Sequence, residues 1–408
     1  MTLPPLPLPA GITSRNIQTN DLSIHILEAG QTPANDKPLI ILLHGFPEIA
    51  YSWRRVLPKL AAAGFYVVAP DQRGFGRTTG WDTGSYETVD LATFSLSSLV
   101  RDIVLLVYAL GYRSVRCVAG HDCGAVSAAM CALMRPDFFQ SVALMSHPFN
   151  GAPDLPFDTA NADAAAGGSD TAMAGAAGGA EGSAAATGIH EALAELGHKH
   201  YKWYYSTKEA GPEMSDLGPE EMHRFLRGYF HLKSGSWPGN RPHPLGKWSA
   251  ADLAQLPGYY IMPLNESMPA TVARDMAHEP SDSLASHSWL PDEELAVYAG
   301  EYSRTGFQGG LNWYRVRTAA GGRYTKDFDV FAGKKLEPPC AFVSGKLDWG
   351  NYQEPGAIEK MTNGVSCADL RIVRFVDGAG HWTPQESPEE KMRQKFWDRP
   401  PYIIIIFP

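Results

Sequence analysis

Apolar and polar residues alternate from Leu22 to Leu27, which predicts a half-exposed strand, and a turn follows through Gly30 to Pro38. The next run, Leu39-Ile40-Ile41-Leu42-Leu43, is apolar throughout, the mark of a strand covered on both faces. Trp53–Ala63 reads as a helix, Phe65–Ala69 as a strand and Asp71–Gly76 as a polar loop. Helical spacing returns over Leu96–Leu110. Val115–Ala119 is then a buried strand, Ala125–Met134 a helix ending before Pro136, and Ser141–Met145 another strand. Strand and helix thus alternate as far as Asn150, which implies an α/β fold with a mostly parallel, doubly wound sheet.

The alternation then stops. Asp158–Gly188 is rich in Ala and Gly with almost no large side chains. It buries too little apolar surface to offset its ordering entropy, so a flexible insertion is expected. From Ile189 to about Thr325 the pattern is helical and rich in Trp and Tyr. Strand signals resume at Pro338–Val343 and Leu370–Val376, and a last helix is expected over Pro388–Trp397. The tail Tyr402–Phe407 is apolar and β-prone but far too short to cross a bilayer. Residues 1–150 and 326–408 therefore read as one α/β core, and 151–325 as a helical lid inserted between two halves of one sheet.

The 408 residues suffice for one large α/β domain with a substantial insertion, and 44% apolar and 19% charged residues are those of a soluble globular protein. A net charge of −9, with no Lys/Arg-rich block, argues against nucleic acid or an anionic membrane as partner. The five cysteines, Cys117, Cys123, Cys131, Cys340 and Cys367, lack metal-ligand spacing. Their odd number and apolar surroundings point to reduced thiols in a cytoplasmic protein. Met1–Asn20 is Pro-rich without a basic region followed by an apolar run, so no secretory signal is expected, and no stretch is long enough to span a membrane. A homodimer is left open.

Chemistry concentrates where strands end. Gly120-His121-Asp122-Cys123-Gly124 lies between a strand and a helix, with glycines two residues either side of an acid. This is the pattern of the nucleophile elbow of α/β-hydrolases, whose tight turn needs neighbours without Cβ atoms. Asp122 is ionised at neutral pH and needs no base in order to attack a saturated carbon. Asp348 follows the strand ending at Val343, and His381 the strand ending at Val376, so nucleophile, acid and histidine occur in the order of an α/β-hydrolase triad. His44-Gly45-Phe46-Pro47-Glu48 follows the strand ending at Leu43, and the amides of Phe46 and Cys123 are candidates for an oxyanion hole. His44 reads as a hydrogen bonder that fixes its loop, and His121 as a residue lining the site.

His44-Gly45-Phe46-Pro47, Gly120-His121-Asp122-Cys123-Gly124-Ala125 and Gly380-His381-Trp382 together resemble the epoxide hydrolase branch of the α/β-hydrolase superfamily, close to the haloalkane and haloacid dehalogenases. The likeness covers nearly all of the chain except Asp158–Gly188 and the C-terminal tail. Gly306–Arg315 is similar to the lid segment that supplies a ring-opening tyrosine, which implies that role for Tyr314. Tyr201-Lys202-Trp203-Tyr204-Tyr205 resembles the segment supplying a second one, best matched by Tyr201, with Tyr204 and Tyr205 as rivals. A phenol suits the task because its pKa near ~10 lets it protonate an alkoxide while staying neutral at pH 7. His44, Pro47, His121, Trp203 and Trp382 are expected to bind substrate, a small-molecule epoxide, and no metal or organic cofactor is implied.

The chain also departs from this pattern. Cys123 stands where epoxide hydrolases and haloalkane dehalogenases commonly carry a Trp, whose indole helps haloalkane dehalogenases hold the departing halide. Fluoroacetate dehalogenases have a His-Trp pair in the lid and an Arg after the nucleophile, whereas this chain has Lys202-Trp203 and Cys123. The expected reaction is therefore epoxide opening to a vicinal diol through an ester on Asp122, freed by water activated by His381 and Asp348. A dehalogenase using the same Asp is the alternative, and a non-catalytic ligand binder on this scaffold comes after it.

Overall fold

The computed structural model describes residues 3–153, 184–280 and 284–386. The helix expected over Pro388–Trp397, the tail Tyr402–Phe407 and positions 158–183 of the Ala/Gly-rich insertion lie outside them. Strands β1 (Thr13–Gln18), β2 (Ser23–Ala29), β3 (Leu39–Leu43), β4 (Tyr66–Pro70), β5 (Cys117–His121), β6 (Val142–Met145), β9 (Cys340–Gly345) and β10 (Leu370–Val376) form one sheet, and β7 (His198–His200) and β8 (Ile261–Pro263) form a separate antiparallel pair. The sheet order is β1-β2-β4-β3-β5-β6-β9-β10. Its first two pairings are antiparallel and the rest parallel.

Burial explains which strands are central. All five residues of β3, β4 and β5 are buried, since both faces of the sheet are covered. Leu39, Ile41 and Leu43 pack into one core with helices α2 (Leu96–Ala109) and α3 (Cys123–Met134). Ile40 and Leu42 face the other way, into a core shared with the residues between β6 and β9. Those residues are helical, with long helices at Pro219–Leu232, Asp292–Thr305 and Gln308–Thr318, and they lie against the loops that follow β3 and β5. No described helix is long and apolar enough to cross a membrane.

Several expectations need correcting. β2 is almost wholly buried rather than half exposed, because its polar residues are partnered inside: His25 meets Asp71 at 2.7 Å and Glu28 holds Arg15 at 2.6 Å. The helix expected over Trp53–Ala63 divides into a 3-10 turn at Ala50–Trp53 and α1 at Leu57–Ala62. Positions 184–188, expected to belong to the flexible insertion, instead open a helix, Ala184–Glu195, consistent with the high helix propensity of three consecutive alanines. α3 starts at Cys123, directly after the acid, rather than at Ala125.

The elbow is the tightest part of the sheet. Asp122 has φ 53° and ψ −122°, a strained conformation for a residue with a side chain. A Cβ on Gly120 would lie 1.9 Å from the Gly124 carbonyl oxygen, and one on Gly124 would lie 2.3 Å from that of Leu43. Backbone cannot yield there without moving β3 or α3. Gly120→Ala and Gly124→Ala should each cost at least about 3 kcal/mol of stability. Gly300→Ala, on a helix with open space around that position, should gain about 0.5–1 kcal/mol. Thermal and denaturant unfolding of the three variants checks the contrast, and similar effects at all three sites would contradict the packing argument.

Candidate active site

Three loops at the C-terminal ends of β5, β9 and β10 bring Asp122, Asp348 and His381 together. His381 Nε2 stands 3.4 Å from Asp122 Oδ2, while its Nδ1 lies 3.1 Å and 3.2 Å from the two oxygens of Asp348. Asp348 is fixed in turn by the Gly350 amide at 2.7 Å and the Ser344 hydroxyl at 3.2 Å. An ionised Asp348 can only accept, so His381 carries a proton on Nδ1, and Nε2 is the nitrogen that faces Asp122.

Burial alone would raise the Asp122 carboxyl. The contact with His381 and the charges of Lys233, His381 and His121 override it and hold the group well below the usual carboxylate range. The Phe46 amide donates to Asp122 Oδ1 at 3.0 Å. Cys123 opens α3, so its N–H has no acceptor inside the helix and is available on the same side of the turn. The Phe46-Pro47 bond is cis, and Pro47 is buried in the turn that aims the Phe46 amide.

Of the aromatic residues in the cap, Tyr314 and Tyr201 approach one another, with ring centres 5.9 Å apart. Phe46 packs edge-on to Tyr314 at 5.6 Å. Burial first, then the Asp122 charge, pushes the Tyr314 phenol well above its ordinary value, so it stays protonated. Of the rivals, Tyr204 donates to Glu213 at 2.7 Å, away from this pair, whereas Tyr205 also meets Tyr314, with ring centres 5.0 Å apart, and donates to the Tyr229 hydroxyl at 3.2 Å.

The residues expected to bind substrate divide. Trp203 is not brought to Asp122; its ring packs on His190 at 4.4 Å and lines a cavity on another part of the cap with Lys199 and Glu213. Trp382 is fully buried behind the site, its indole donating to the Phe230 carbonyl at 2.8 Å while its ring stands edge-on to His381 at 4.6 Å. His44 is fully buried and fixes its loop, accepting from the Gln72 amide at 3.1 Å. His121 is also fully buried and faces no open space: Nδ1 meets Glu48 Oε2 at 2.5 Å and Nε2 meets the His381 carbonyl at 2.7 Å. Both partners are acceptors, so His121 carries protons on both nitrogens and is an imidazolium.

Three supporting residues escaped sequence reasoning. Glu48 was visible only as the end of its motif, yet it holds His121, the Gly45 amide and Gln385. Lys233 sits among the rings of Tyr229, Tyr259, Tyr260 and Trp382, at 4.9–5.8 Å, and its carbonyl accepts from the His381 amide at 2.9 Å. Glu386 accepts from the amides of Gly380, Trp382 and Gly235 at 2.7–2.9 Å, which ties the histidine loop to the cap. No local signal marks Lys233 or Glu386, because the contacts that tie each to the far side of the site, Lys233 to His381 and Glu386 to Gly235, are distant in sequence.

A parallel sheet with an acid at the elbow and a histidine and second acid on later loops defines an α/β-hydrolase. The α/β hydrolase fold family matches residues 38–175. Epoxide hydrolase A of Mycobacterium tuberculosis is 30% identical over 387 residues, covering 93% of this chain and 94% of its own. An epoxide hydrolase of Caballeronia sordidicola is 26% identical, with 94% and 92% covered. Among solved structures, epoxide hydrolase A from Mycobacterium thermoresistibile superposes with a TM-score of 0.66 at 28% identity, covering 95% of this chain and 97% of its own. The chain belongs to the epoxide hydrolase family.

The His121–Glu48 pair makes stability depend on pH. Burial would discharge both groups, but each partner's charge prevails, so His121 is pushed up to about 9 and Glu48 held at about 2. The imidazolium contribution is complete below its ordinary value of 6.5 and is lost as pH rises toward 9; the carboxylate contribution is complete above 4.5 and is lost toward 2. Glu48→Gln should therefore be destabilised most between these ordinary values, by about 3–5 kcal/mol at pH 6. The gap from wild type should narrow by pH 9. Denaturant unfolding across this range checks it, and a gap constant with pH would mean that His121 is neutral.

Proposed function

We propose that this chain opens an epoxide to a vicinal diol in two half-reactions, using the residues assembled around Asp122. Substrate lies between sheet and cap, with its ring oxygen accepting hydrogen bonds from Tyr314 and Tyr201. An Asp122 oxygen attacks one ring carbon from the side opposite the C–O bond. That bond breaks, and the alkoxide takes a proton from a phenol, leaving a hydroxyalkyl ester on Asp122. His381 then removes a proton from water, the hydroxide adds to the ester carbon, and the amides of Phe46 and Cys123 bind the oxyanion. Collapse breaks the bond between that carbon and the diol oxygen, which takes its proton from His381. One oxygen of water remains in the Asp122 carboxyl; that group gives up its proton, the phenolate left by ring opening takes one up, and carboxylate and phenol are both restored.

The observation that carries this reading is an ionised carboxylate at the elbow, 3.4 Å from His381 Nε2 and close to a protonated phenol. Membership of the epoxide hydrolase family supports the substrate class. All five cysteines are free and buried, Cys340 and Cys367 meeting at 3.9 Å, and on that basis we place the protein in the cytoplasm.

A single turnover in heavy-oxygen water should label the Asp122 carboxylate and leave the first diol unlabelled. Label passing straight into product would refute the ester intermediate. Asp122→Ala should abolish diol formation, and Tyr314→Phe should slow ester formation by about 10²-fold or more, within the range of general acid catalysis. Ring opening at the wild-type rate in the Phe variant would remove Tyr314 from the mechanism.

A further inference from the structure

The cap carries a cation next to the site that the proposed reaction does not use. Arg317 lies one turn after Tyr314 on the Gln308–Thr318 helix, so the two side chains share a face with Cβ atoms about 5–6 Å apart. Its Nε is buried without a hydrogen-bond partner, and among the described residues the guanidinium has no ion pair. The Arg315 Nε on the same helix is also unpartnered, but its two terminal nitrogens are engaged, by Asn312 at 3.0 Å and by the Tyr86 carbonyl at 2.7 Å. The Arg317 charge reaches the Cys123 thiol, beside the nucleophile, and the His147 imidazole.

A second cation stands near. Lys202, which follows Tyr201, is buried with Nζ 3.5 Å from Glu354 Oε1, and His147 Nε2 is also 3.5 Å from that oxygen. The other oxygen of Glu354 is buried and unpartnered. Burial pushes His147 down, so it adds no firm positive charge. Lys202 thus has a carboxylate partner, Arg317 has none among the described residues, and the charges of both reach His147. Unpaired charge in a dry site is costly, and a guanidinium fork matches a carboxylate with two parallel hydrogen bonds.

The geometry points to an epoxide that itself bears a carboxylate, held by Arg317 and Lys202 while its ring faces Asp122 and Tyr314. The one-turn offset between Tyr314 and Arg317 fits an acid group one or two bonds from the ring, as in a glycidate. The anion also needs these cations because it must approach the charge of Asp122. The unpartnered Glu354 oxygen remains an acceptor for a hydroxyl on the same ligand. This assignment rests on epoxide hydrolysis as the reaction.

The test compares 3-phenylglycidate with its primary amide, which has the same shape without the charge. Wild-type kcat/KM should favour the acid by about 10-fold or more, the scale of a charge-assisted hydrogen bond. In Arg317→Leu the acid-to-amide ratio should fall to one or below. Competitive inhibition of the wild type by 3-phenylpropanoate against 3-phenylpropanamide gives the same comparison without a variant, with the acid expected to bind at least about 10-fold tighter. A wild-type ratio at or below one, equal inhibition, or a ratio preserved in Arg317→Leu overturns the assignment while diol formation from the amide leaves epoxide hydrolysis standing. Failure to form diol from either compound or from any neutral oxirane overturns both.

Discussion

The structure turns on keeping one buried carboxylate charged and unencumbered. Moving a carboxylate out of water costs several kcal/mol, and the usual outcome in an apolar pocket is protonation. Asp122 escapes that outcome because four elements deliver compensation to one point. The β3 loop brings the Phe46 amide, the β5 end brings His121, the β10 loop brings His381, and the cap brings Lys233. None of these is close to the others in sequence, so the charge of Asp122 is a property of the whole fold. The elbow adds the geometric condition: a side chain projecting from a strained turn cannot sink back among its neighbours.

The same dryness acts with opposite sign on the groups around it. Desolvation opposes ionisation of carboxyl and phenol alike, but at the carboxyl the contact with His381 and the charges of Lys233, His381 and His121 reverse the effect. Tyr314 faces the Asp122 charge instead, so burial and electrostatics agree in keeping it protonated. One environment thus holds the nucleophile as a base and its partner as an acid at the same pH. His121 extends the logic, since an imidazolium fully buried between Glu48 and the His381 carbonyl supplies fixed positive charge without titrating near neutrality. Glu386 and the Lys233 carbonyl keep His381 at the right depth by linking its loop to the cap.

Much of this was legible in the chain wherever a signal is local. The continuous apolar run Leu39–Leu43 marked β3 to the residue, the β-branched and aromatic stretch Leu370–Val376 marked β10, and the spacing of Gly120, Asp122 and Gly124 marked the elbow because its chemistry lies within five residues. β1 was not visible: five of its six residues are exposed, so nothing in its pattern demands a sheet. β2 misled through His25 and Glu28, polar residues that read as solvent-facing but are paired inside. Trp203 was misplaced for a related reason. A helix turns about 100° per residue, so consecutive aromatics in Tyr201–Tyr205 point to different surroundings, and only their distant partners decide which faces the site. Lys233 and Glu386 were illegible because a buried charge is recognised by what surrounds it.

What distinguishes this chain within its family lies in one corner of the site. Cys123 occupies the position after the nucleophile where a bulky indole is common, and it is the residue that feels the charge of Arg317. An arginine one turn beyond Tyr314 and a lysine beside Tyr201 bring cations to that vicinity from two separate cap helices. On the proposed reading, the groups that activate the epoxide oxygen and those that select the substituent are built from the same two helices. Selectivity and ring opening are then coupled mechanically: a shift of either helix that misplaced a phenol would misplace its cation as well.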